Sequence, residues 1–512
     1  MKTLLETRVE VTQESMQSHI SYKFYVPENV EDIVIDFSFH PSHLQDAELA
    51  AQIAEQSLRY YGLEDEDRIE EQVNEYLPIK NLLTLSIDDP DGFRGARHSH
   101  LSTQKMTIGE KNSSPGVLNK MNQSGLWIFT ISVHAIVSET CSMSLKVSAT
   151  GIEQHVQKLV SIPWQKRPLK RKFPFKIREN EPFDSKHRTD CRWVPSELHS
   201  HTYHSDGLQT VKEMVGKAEE MGIEVVAITD HNTVSPLQEM EHVKLQTPIK
   251  LLYGLEWTTF YGHVLTIGYK QLQYTDWRCI GPKDIQKGIS NIHSHGAIAG
   301  IAHPFRIGNP IGTGCHWEFD IEHIDDFDFI EVWNSERPGT LIHNQKAFAF
   351  WTDLLNQGYD LPATAGRDWH HNVTEELLLA KTFVQMPTHL SKEKDEYRFV
   401  FLESIRRGAM TISYGNPLLL EAQINQKTFT IGDRVSEDGT IHLKAIVEEW
   451  HGIENRASVR LYSNLGLLKE EQGVTLVYDC KDKLRWVRAE LYADLDKGIE
   501  LIAFTNPIYF TP

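Results

Sequence analysis

The chain has 512 residues, of which 40% are apolar and 24% are charged, a composition typical of a folded globular protein. It excludes intrinsic disorder, collagen and coiled coil as descriptions of the whole chain, and the length predicts about three domains. The formal net charge of −19 argues against a long nucleic-acid partner, because phosphate contacts dominate affinity for nucleic acid.

The first residues and the cysteines indicate in which cellular compartment the protein lies. Glu6, Arg8 and Glu10 interrupt the start of the chain, so we expect no secretory signal. No run approaches the roughly 18 uncharged apolar residues that a membrane span needs. The five cysteines lie far apart without a Cys-x-x-Cys pair, which indicates neither a disulfide framework nor a thiolate zinc site. We therefore expect free thiols in a cytoplasmic protein.

Residues 1–150 alternate polar stretches with strand-like runs. The run Ile33–Phe39 alternates apolar and polar residues, as a half-buried strand does. Trp127–Val147 is interpreted as a β-hairpin, so we expect a small N-terminal β-sandwich. An acidic insert at Glu64–Glu75 interrupts this pattern, and we expect it to be a solvated helix or loop.

Residues 151–193 form a predicted linker. This segment is basic and contains four prolines, which favour an extended strap over a packed element. A basic run such as Lys166–Lys172 can signal nucleic acid, but charge runs are usually solvated faces. We expect it to lie against acidic protein surface.

Residues 194–412 change to a β/α pattern. Short β-rich runs are followed by helical patterns that end at glycine, as Val211–Met221 ends before Gly222. Strands that alternate with helices in this way predict an α/β fold with a parallel barrel. The predicted strands are Glu197–His201, Val225–Thr229, Leu251–Leu255, His263–Ile267, Ile298–Ala302, Phe329–Trp333 and Leu361–Ala365.

The chain becomes β-rich again from Tyr414 to its end. Alternating runs such as Ile441–Val447 are separated by the turn pairs Gly432-Asp433 and Asp438-Gly439. This pattern predicts a second β-sandwich over residues 413–512.

Histidine and carboxylate side chains lie at the carboxyl end of nearly every predicted strand of residues 194–412, and His263 opens one of them. The carboxyl ends of the strands of an α/β barrel meet at one mouth, where such folds place their active sites. Imidazole and carboxylate without thiolate suit Zn, Mn or Fe, and there are more ligands than one ion can use. We expect two or three divalent metal ions, held by His199, His201, Asp206, His231, Glu256, His263, His303, Asp368 and His370.

The first of these motifs, His199–Gly207 (HSHTYHSDG), resembles the HxHxxxSDG motif of the PHP (polymerase and histidinol phosphatase) superfamily of metallohydrolases. Ala227–Asn232 and Asp368–His370 are similar to later motifs, and the resemblance covers about residues 194–410. It implies a distorted (β/α)7 barrel in which all nine residues above are metal ligands and Glu256 bridges two ions. The β-rich flanks look most like the CehA/McbA-like branch, named for members that hydrolyse the carbamate carbaryl.

The predicted mechanism needs no serine or cysteine nucleophile, because a hydroxide that bridges the metal ions attacks the substrate. We assign catalytic roles to Asp206, His204, Arg306 and Arg367. The two arginines flank predicted ligands and could hold a phosphate, with a structural salt bridge as the alternative for each. His204 is a candidate leaving-group acid or phosphate donor, with a surface histidine as the alternative. Asp230 is better placed to orient a ligand than to bind an ion.

The leading interpretation is a metal-dependent hydrolase, a phosphoesterase acting on a small phosphomonoester or phosphodiester. The first alternative, from the branch resemblance, is hydrolysis of a carbamate, ester or amide. A further alternative is a non-catalytic binding protein. We expect a small-molecule, phosphorylated substrate and no membrane partner, with nucleic acid disfavoured and a homo-oligomer left open.

Overall fold

The structure is a computed structural model that describes residues 1–151, 190–270, 276–312, 314–371, 379–392, 395–448, 450, 453–496 and 498–511. The predicted basic linker at 151–193 lies almost entirely outside these residues. Within the described ranges, no helix combines the length and the apolar character that a membrane crossing requires. All five cysteines are described, and none forms a disulfide.

The N-terminal part of the chain folds into two sheets. Its elements are β1 (Lys2–Val11), β2 (Ser18–Val26), β3 (Ile33–His40), α1 (Ala47–Tyr60), α2 (Glu66–Glu75), β4 (Leu82–Asp89), β5 (Gly92–Arg97), β6 (Thr103–Ile108), β7 (Gly125–Ala135) and β8 (Cys141–Ala149). The strand orders are β1-β8-β3-β6 and β2-β7-β4-β5. Buried side chains of both sheets, such as Ile35 and Trp127, share one core, so the sheets pack face to face. We call this part the N-terminal sandwich.

The connection from β7 to β8 corrects one expectation. The hairpin predicted at Trp127–Val147 is wrong, because β7 pairs with β2 and β4 whereas β8 pairs with β1 and β3. The chain crosses from one sheet to the other between the two strands. Alternation could not reveal this crossing, since a strand buries one face whether its neighbour in sequence pairs with it or faces it across the core.

The acidic insert Glu64–Glu75 contains a helix, one of the two forms expected for it, since α2 covers most of it. The helix α1 before it was not predicted. Asp46 caps the N-terminus of α1 by accepting a backbone N–H hydrogen bond. One face of α1 is buried through Ala50, Ala54 and Leu58, at the spacing of successive helical turns.

The middle of the chain alternates strands with helices. Its elements are β9 (Cys191–Glu197), α3 (Val211–Glu220), β10 (Val225–Ile228), α4 (Pro236–Val243), β11 (Lys250–Thr258), β12 (His263–Ile267), α5 (Ile285–Ser294), β13 (Ile298–Ile301), β14 (Phe329–Asn334), α6 (Ile342–Gln357), β15 (Ala363–Gly366), β16 (Lys381–Pro387) and α7 (Asp395–Arg407). The helix predicted before Gly222 is confirmed, and Gly222, like Gly296 after α5 and Gly358 after α6, has the positive φ of a helix C-terminus. We call this part the α/β unit.

The strand order of the α/β unit is β15-β14-β13-β12-β11-β10-β9-β16. The pairs β9–β10, β10–β11, β13–β14 and β14–β15 are parallel, as expected. The expectation is wrong for β12, which runs antiparallel to both β11 and β13, because the link at residues 259–262 is too short for a parallel crossover. A parallel bridge between Ser200 and Trp369 joins the segments that follow β9 and β15.

The C-terminal part again forms two sheets around one core. Its elements are β17 (Met410–Ser413), β18 (Leu418–Ile424), β19 (Lys427–Thr430), β20 (Arg434–Val435), β21 (Ile441–Val447), β22 (Ala457–Ser463), β23 (Gly466–Gln472), β24 (Thr475–Cys480), β25 (Trp486–Leu495), β26 (Gly498–Thr505) and β27 (Ile508–Phe510). One sheet has the order β19-β18-β21-β24, and the other continues the α/β sheet as β16-β17-β26-β25-β22-β23. We call this part the C-terminal sandwich. The predicted boundary at residues 412–413 falls inside β17, and the domain limits stay a prediction.

The N-terminal sandwich is fixed to the α/β unit through directed polar contacts. The Gly116 carbonyl accepts a hydrogen bond from the Thr233 hydroxyl at 2.8 Å, and the Gly116 N–H donates to the Ser235 hydroxyl oxygen at 3.1 Å. Elsewhere on this contact, the Arg278 guanidinium donates two hydrogen bonds to the Asp88 carboxylate, at 2.7 and 2.9 Å. The two units therefore have a defined relative position.

We predict that Gly116→Ala destabilises this contact. A Cβ there would lie 2.3 Å from the Ala96 carbonyl oxygen, and the φ of +90° disfavours any L side chain. The expected cost is about 1–3 kcal/mol, seen as a lower unfolding midpoint in scanning calorimetry. The control is Gly216→Ala in α3, where a Cβ meets nothing within 4 Å and the midpoint should stay or rise. Equal effects of the two variants would contradict the assigned role of Gly116.

Candidate metal centre

The structure brings all nine predicted ligand residues to one place at the ends of the α/β strands. They form overlapping groups in which the possible ligand atoms lie within 4.8 Å of one another. The groups are His199, His201, Glu256 and Asp368; His201, Asp206, His231 and His370; His231, Glu256 and His263; and His199, His303 and Glu331. Each of the first three groups has the imidazole and carboxylate donors that Zn, Mn or Fe would bind.

Glu256 lies at the centre of these groups and is fully buried. Its two carboxylate oxygens face different imidazoles. The neighbours are His199, His201 and His231 within 3.4 Å of Oε2, and His263 and His303 within 3.0 Å of Oε1. Burial opposes ionisation of Glu256, but His231 and His263 hold its pKa well below its usual range. An ionised carboxylate with two separately addressed oxygens can bridge two cations.

Two further carboxylates, Asp206 and Asp368, belong to these groups. Asp368 Oδ1 is 2.9 Å from His201 Nε2, and Asp206 Oδ1 is 3.3 Å from His370 Nε2. Asp206 Oδ2 is also 3.6 Å from His231 Nε2. Burial opposes the charged form of His370, but Asp368 and then Asp206 raise the pKa of His370 to about 9.

Many buried polar atoms at this centre make no hydrogen bond within the described part of the chain. They are His199 Nε2, both ring nitrogens of His201, Asp206 Oδ1, Glu256 Oε2, His263 Nε2, His303 Nδ1 and Asp368 Oδ1. A buried polar atom left without a partner costs about 1–3 kcal/mol, so folded proteins seldom gather several of them. Divalent cations would satisfy these atoms together, and the residues present therefore fit a metal centre.

Backbone strain also collects at this centre. His303 and Asp368 have φ angles of 25° and 56°, and Asn232 beside His231 has 52°. Such conformations cost about 1–3 kcal/mol each in residues other than glycine, and they persist where their surroundings hold them. The Asn232 side chain does so by donating to the Thr258 carbonyl at 2.7 Å and accepting the Thr258 N–H at 2.9 Å.

Glu331 on β14 belongs to the centre although the sequence analysis missed it. Its Oε1 is 3.0 Å from His199 Nδ1, and its Oε2 accepts hydrogen bonds from the Asn334 side chain and the His303 backbone N–H. Burial raises the pKa of Glu331 to about 7. The contact fixes the His199 ring with Nε2 towards Glu256 and Asp368. A carboxylate inside the apolar run of β14 was the available signal.

Two histidines of the N-terminal sandwich were also missed. His98 and His100 follow β5, and their Nε2 atoms lie 4.0 and 3.9 Å from Asp206 Oδ2. The His98-Ser99-His100 spacing repeats the His199-Ser200-His201 spacing, and that repetition was the available signal.

The two predicted arginines have different surroundings. Arg306 contacts the Asp368 carboxylate, and its side chain is 36% exposed, so it reaches the edge of the centre. Arg367 donates to Glu197 at 3.2 Å and stacks on the Trp369 ring at 3.7 Å, and its side chain is 4% exposed. This geometry favours the salt-bridge alternative for Arg367.

His204 and Asp230 organise the loop after β9. His204 is buried, unlike the surface histidine of the alternative, and its two ring nitrogens contact Ser235 at 2.7 Å and Glu239 at 3.2 Å. Asp230 accepts hydrogen bonds from both ends of the segment 202–205, so it holds the loop next to the predicted ligand Asp206.

Three curated proteins are similar to parts of this chain. An uncharacterized protein of Methanocaldococcus jannaschii is 26% identical over 190 residues, which is 31% of this chain and 100% of that protein. A PolC-type DNA polymerase III of Streptococcus mutans is 44% identical over 62 residues, covering 12% of this chain and 4% of the polymerase. A 5'-3' exoribonuclease of Haemophilus influenzae is 35% identical over 63 residues, covering 12% of this chain and 23% of that enzyme. The chain thus matches only a small part of the last two.

Two of the solved structures that are similar to this chain have low TM-scores. One, from Bacteroides vulgatus, is described as a two-domain protein containing a predicted PHP-like metal-dependent phosphoesterase. It shares 15% identity and a TM-score of 0.35, over 61% of this chain and 95% of the other. The second, from Bifidobacterium adolescentis, is described as a putative metal-dependent phosphoesterase, with 16% identity and a TM-score of 0.25 over 36% and 91% of the two chains.

One family model matches the part of the chain that carries the candidate metal centre. The matched residues are 197–387, and the family is the PHP domain. All nine predicted ligand residues lie inside this range, whereas His98 and His100 lie outside it. The match covers less than half of the chain, and it is the α/β unit that resembles the PHP domain.

Proposed function

We propose that this chain is a metal-dependent phosphoesterase that acts on a small phosphorylated molecule. The observation that carries the proposal is the surrounding of Glu256, a fully buried carboxylate with five imidazole nitrogens within 3.4 Å. The PHP domain match of residues 197–387 supports it. The bridge between Ser200 and Trp369 supports the further proposal that β9–β15 close into a distorted (β/α)7 barrel.

The nine residues would hold two or three divalent cations, of which Zn, Mn and Fe suit the donors. The first three groups overlap pairwise, because they share His201, His231 and Glu256. Neighbouring cations would therefore have ligands in common, with Glu256 between two of them. Divalent cations bound there would neutralise phosphate charge and lower the pKa of bound water towards about 7.

Arg306 favours a phosphorylated substrate. Its guanidinium contacts Asp368 and remains partly exposed at the edge of the centre, where it can donate to a phosphate oxygen. The alternative substrates, an uncharged carbamate, ester or amide, offer no anionic oxygen to this arginine.

A nuclease is a second candidate because one matched relative is named an exoribonuclease. That match covers 12% of this chain. The net charge of −19 disfavours a long polyanion, since affinity for nucleic acid depends on phosphate contacts.

We predict that the wild-type chain loaded with Zn, Mn or Fe hydrolyses an aryl phosphomonoester or phosphodiester faster than an aryl carbamate or a short oligoribonucleotide.

Asp368→Asn should lower bound metal and turnover together, by more than the 10–100-fold typical of a residue that only supports a ligand. Elemental analysis and initial rates measure both. The control is Asp360→Asn, an exposed carboxylate paired with Arg434, which should change neither. Faster carbamate turnover would refute the phosphoesterase assignment, and unchanged turnover in Asp368→Asn would refute the centre.

Variants of the two arginines should differ in their steady-state kinetics. We predict that Arg306→Ala raises KM for the phosphate ester by about 10–100-fold, the range for a lost hydrogen bond to a charged group. Arg367→Ala should leave KM unchanged and lower the unfolding midpoint, because it leaves Glu197 buried without its cation. Metal content is measured in both variants, so that a loss of cation is not mistaken for a loss of substrate contact. A flat KM in Arg306→Ala removes its role as a phosphate contact.

Glu331 should act on the metal through His199. In Glu331→Gln only one side-chain oxygen remains to accept hydrogen bonds, whereas the carboxylate now accepts with both. The His199 ring therefore loses part of its support. We predict a 10–100-fold loss of metal affinity, measured by competition with a chelator. Glu403→Gln, which removes a carboxylate from the helix-surface pair with Arg406, is the control and should bind metal as the wild type does. Equal affinities in the two variants would contradict this role for Glu331.

A further inference from the structure

Asp206 has neighbours from two parts of the chain. On one side it faces His201, His231 and His370 of the α/β unit. On the other side it faces His98 and His100 of the N-terminal sandwich, which form a separate group with it. The family match begins at residue 197, so nothing in that match accounts for the second group.

The position of His98 is fixed by its surroundings. It follows β5, whose residue Ala96 donates a backbone hydrogen bond to the Gly116 carbonyl, and Gly116 is held in turn by Thr233 and Ser235. The His98 ring lies 4.4 Å from the His231 ring, and the residue is 8% exposed. The docking of the N-terminal sandwich therefore carries an imidazole to the edge of the metal centre.

We propose that His98, His100 and Asp206 bind an additional divalent cation, zinc by the nature of its ligands, between the N-terminal sandwich and the α/β unit. The inference shares Asp206 with the proposed metal centre but does not require that the chain hydrolyse a phosphate ester. Two imidazoles and one carboxylate are a ligand set that zinc uses in sites with an open position.

The distances fit a cation better than direct contacts. The 4.0 and 3.9 Å between the two Nε2 atoms and Asp206 Oδ2 are too long for hydrogen bonds. They lie within the roughly 4.2 Å that two bonds of about 2.1 Å to one ion can span. The His100 side chain is 51% exposed, so its ring can turn towards the ion without displacing buried neighbours.

The charges also favour a cation at this position. Asp206 supplies the negative charge: its Oδ1 faces His370, and its Oδ2 faces His231 as well as His98 and His100. A carboxylate whose two oxygens face different imidazoles can bind one cation with each oxygen.

An ion at this position would do two things. It would tie the N-terminal sandwich to the mouth of the α/β unit by bonds to both. It would also leave a coordination position towards solvent on the side of His100, which an anionic group such as an inorganic phosphate oxygen could occupy.

The test is a count of bound zinc in the full-length chain. The variant His98→Ala/His100→Ala is compared with wild type and with the control His40→Ala/His442→Ala, which removes two exposed histidines far from Asp206 in sequence. Each protein is stripped with chelator, loaded with zinc, passed over a desalting column and measured by elemental analysis. A second variant, His98→Gln/His100→Gln, keeps polar side chains of similar length, so that a folding defect is separated from the loss of ligands.

We expect both His98/His100 variants to hold one zinc equivalent fewer than wild type and the control to hold as many. Zinc should also raise the unfolding midpoint less in these variants than in wild type, because the ion stabilises the docked state. Equal zinc counts in all four proteins, or a wild type that takes up no zinc, would overturn the proposal. A raised KM for phosphate ester with an unchanged count would overturn it too and would make the pair a substrate contact. A zinc difference without any hydrolysis would leave this proposal standing and remove the phosphoesterase.

Discussion

The burial of the Glu256 carboxylate is the constraint on which the site depends. A carboxylate removed from water costs several kcal/mol unless opposite charge or strong donors surround it. The five imidazoles that do so come from segments at β9, β10, β12 and β13. They meet only when these strands lie in their observed order. The centre and the sheet therefore form together. The buried ring nitrogens that make no hydrogen bond could bind cations, which would supply further positive charge around Glu256.

The sequence predicted most of the α/β strands and the residues that follow them, because a ligand at a strand end is a local signal with a fixed position. It did not predict the direction of β12, which depends on a short link, or the crossing between β7 and β8, which depends on how two sheets pack. Arg306 and Arg367 each stand beside a ligand in sequence, yet one contacts Asp368 and the other Glu197. The position of an arginine near a ligand in sequence therefore does not predict which carboxylate its side chain contacts.

The sequence also did not predict that the N-terminal sandwich brings His98 to the edge of the metal centre. His98 and His231 are far apart in sequence, and their rings lie 4.4 Å apart beside a contact where Gly116 lets the backbone at Ala96 approach closely. A side chain at Gly116 would push Ala96 of β5 away from Gly116, which Thr233 and Ser235 hold on the α/β unit. Gly116 therefore helps to position His98 at the edge of the metal centre, because a Cβ atom at residue 116 would not fit. No periodic pattern in the sequence records such a requirement.

The strand β17 has a consequence for how the chain can be divided. It pairs with β16 on one side and with β26 on the other, so one sheet runs from the α/β unit into the C-terminal sandwich. A fragment that ended near residue 412 would expose the hydrogen-bonding groups of β17 that now pair with β26 as an open edge, a template for association with other chains. In this chain the C-terminal sandwich therefore covers an edge of the α/β unit, and the part that matches the PHP domain shares its sheet with that sandwich.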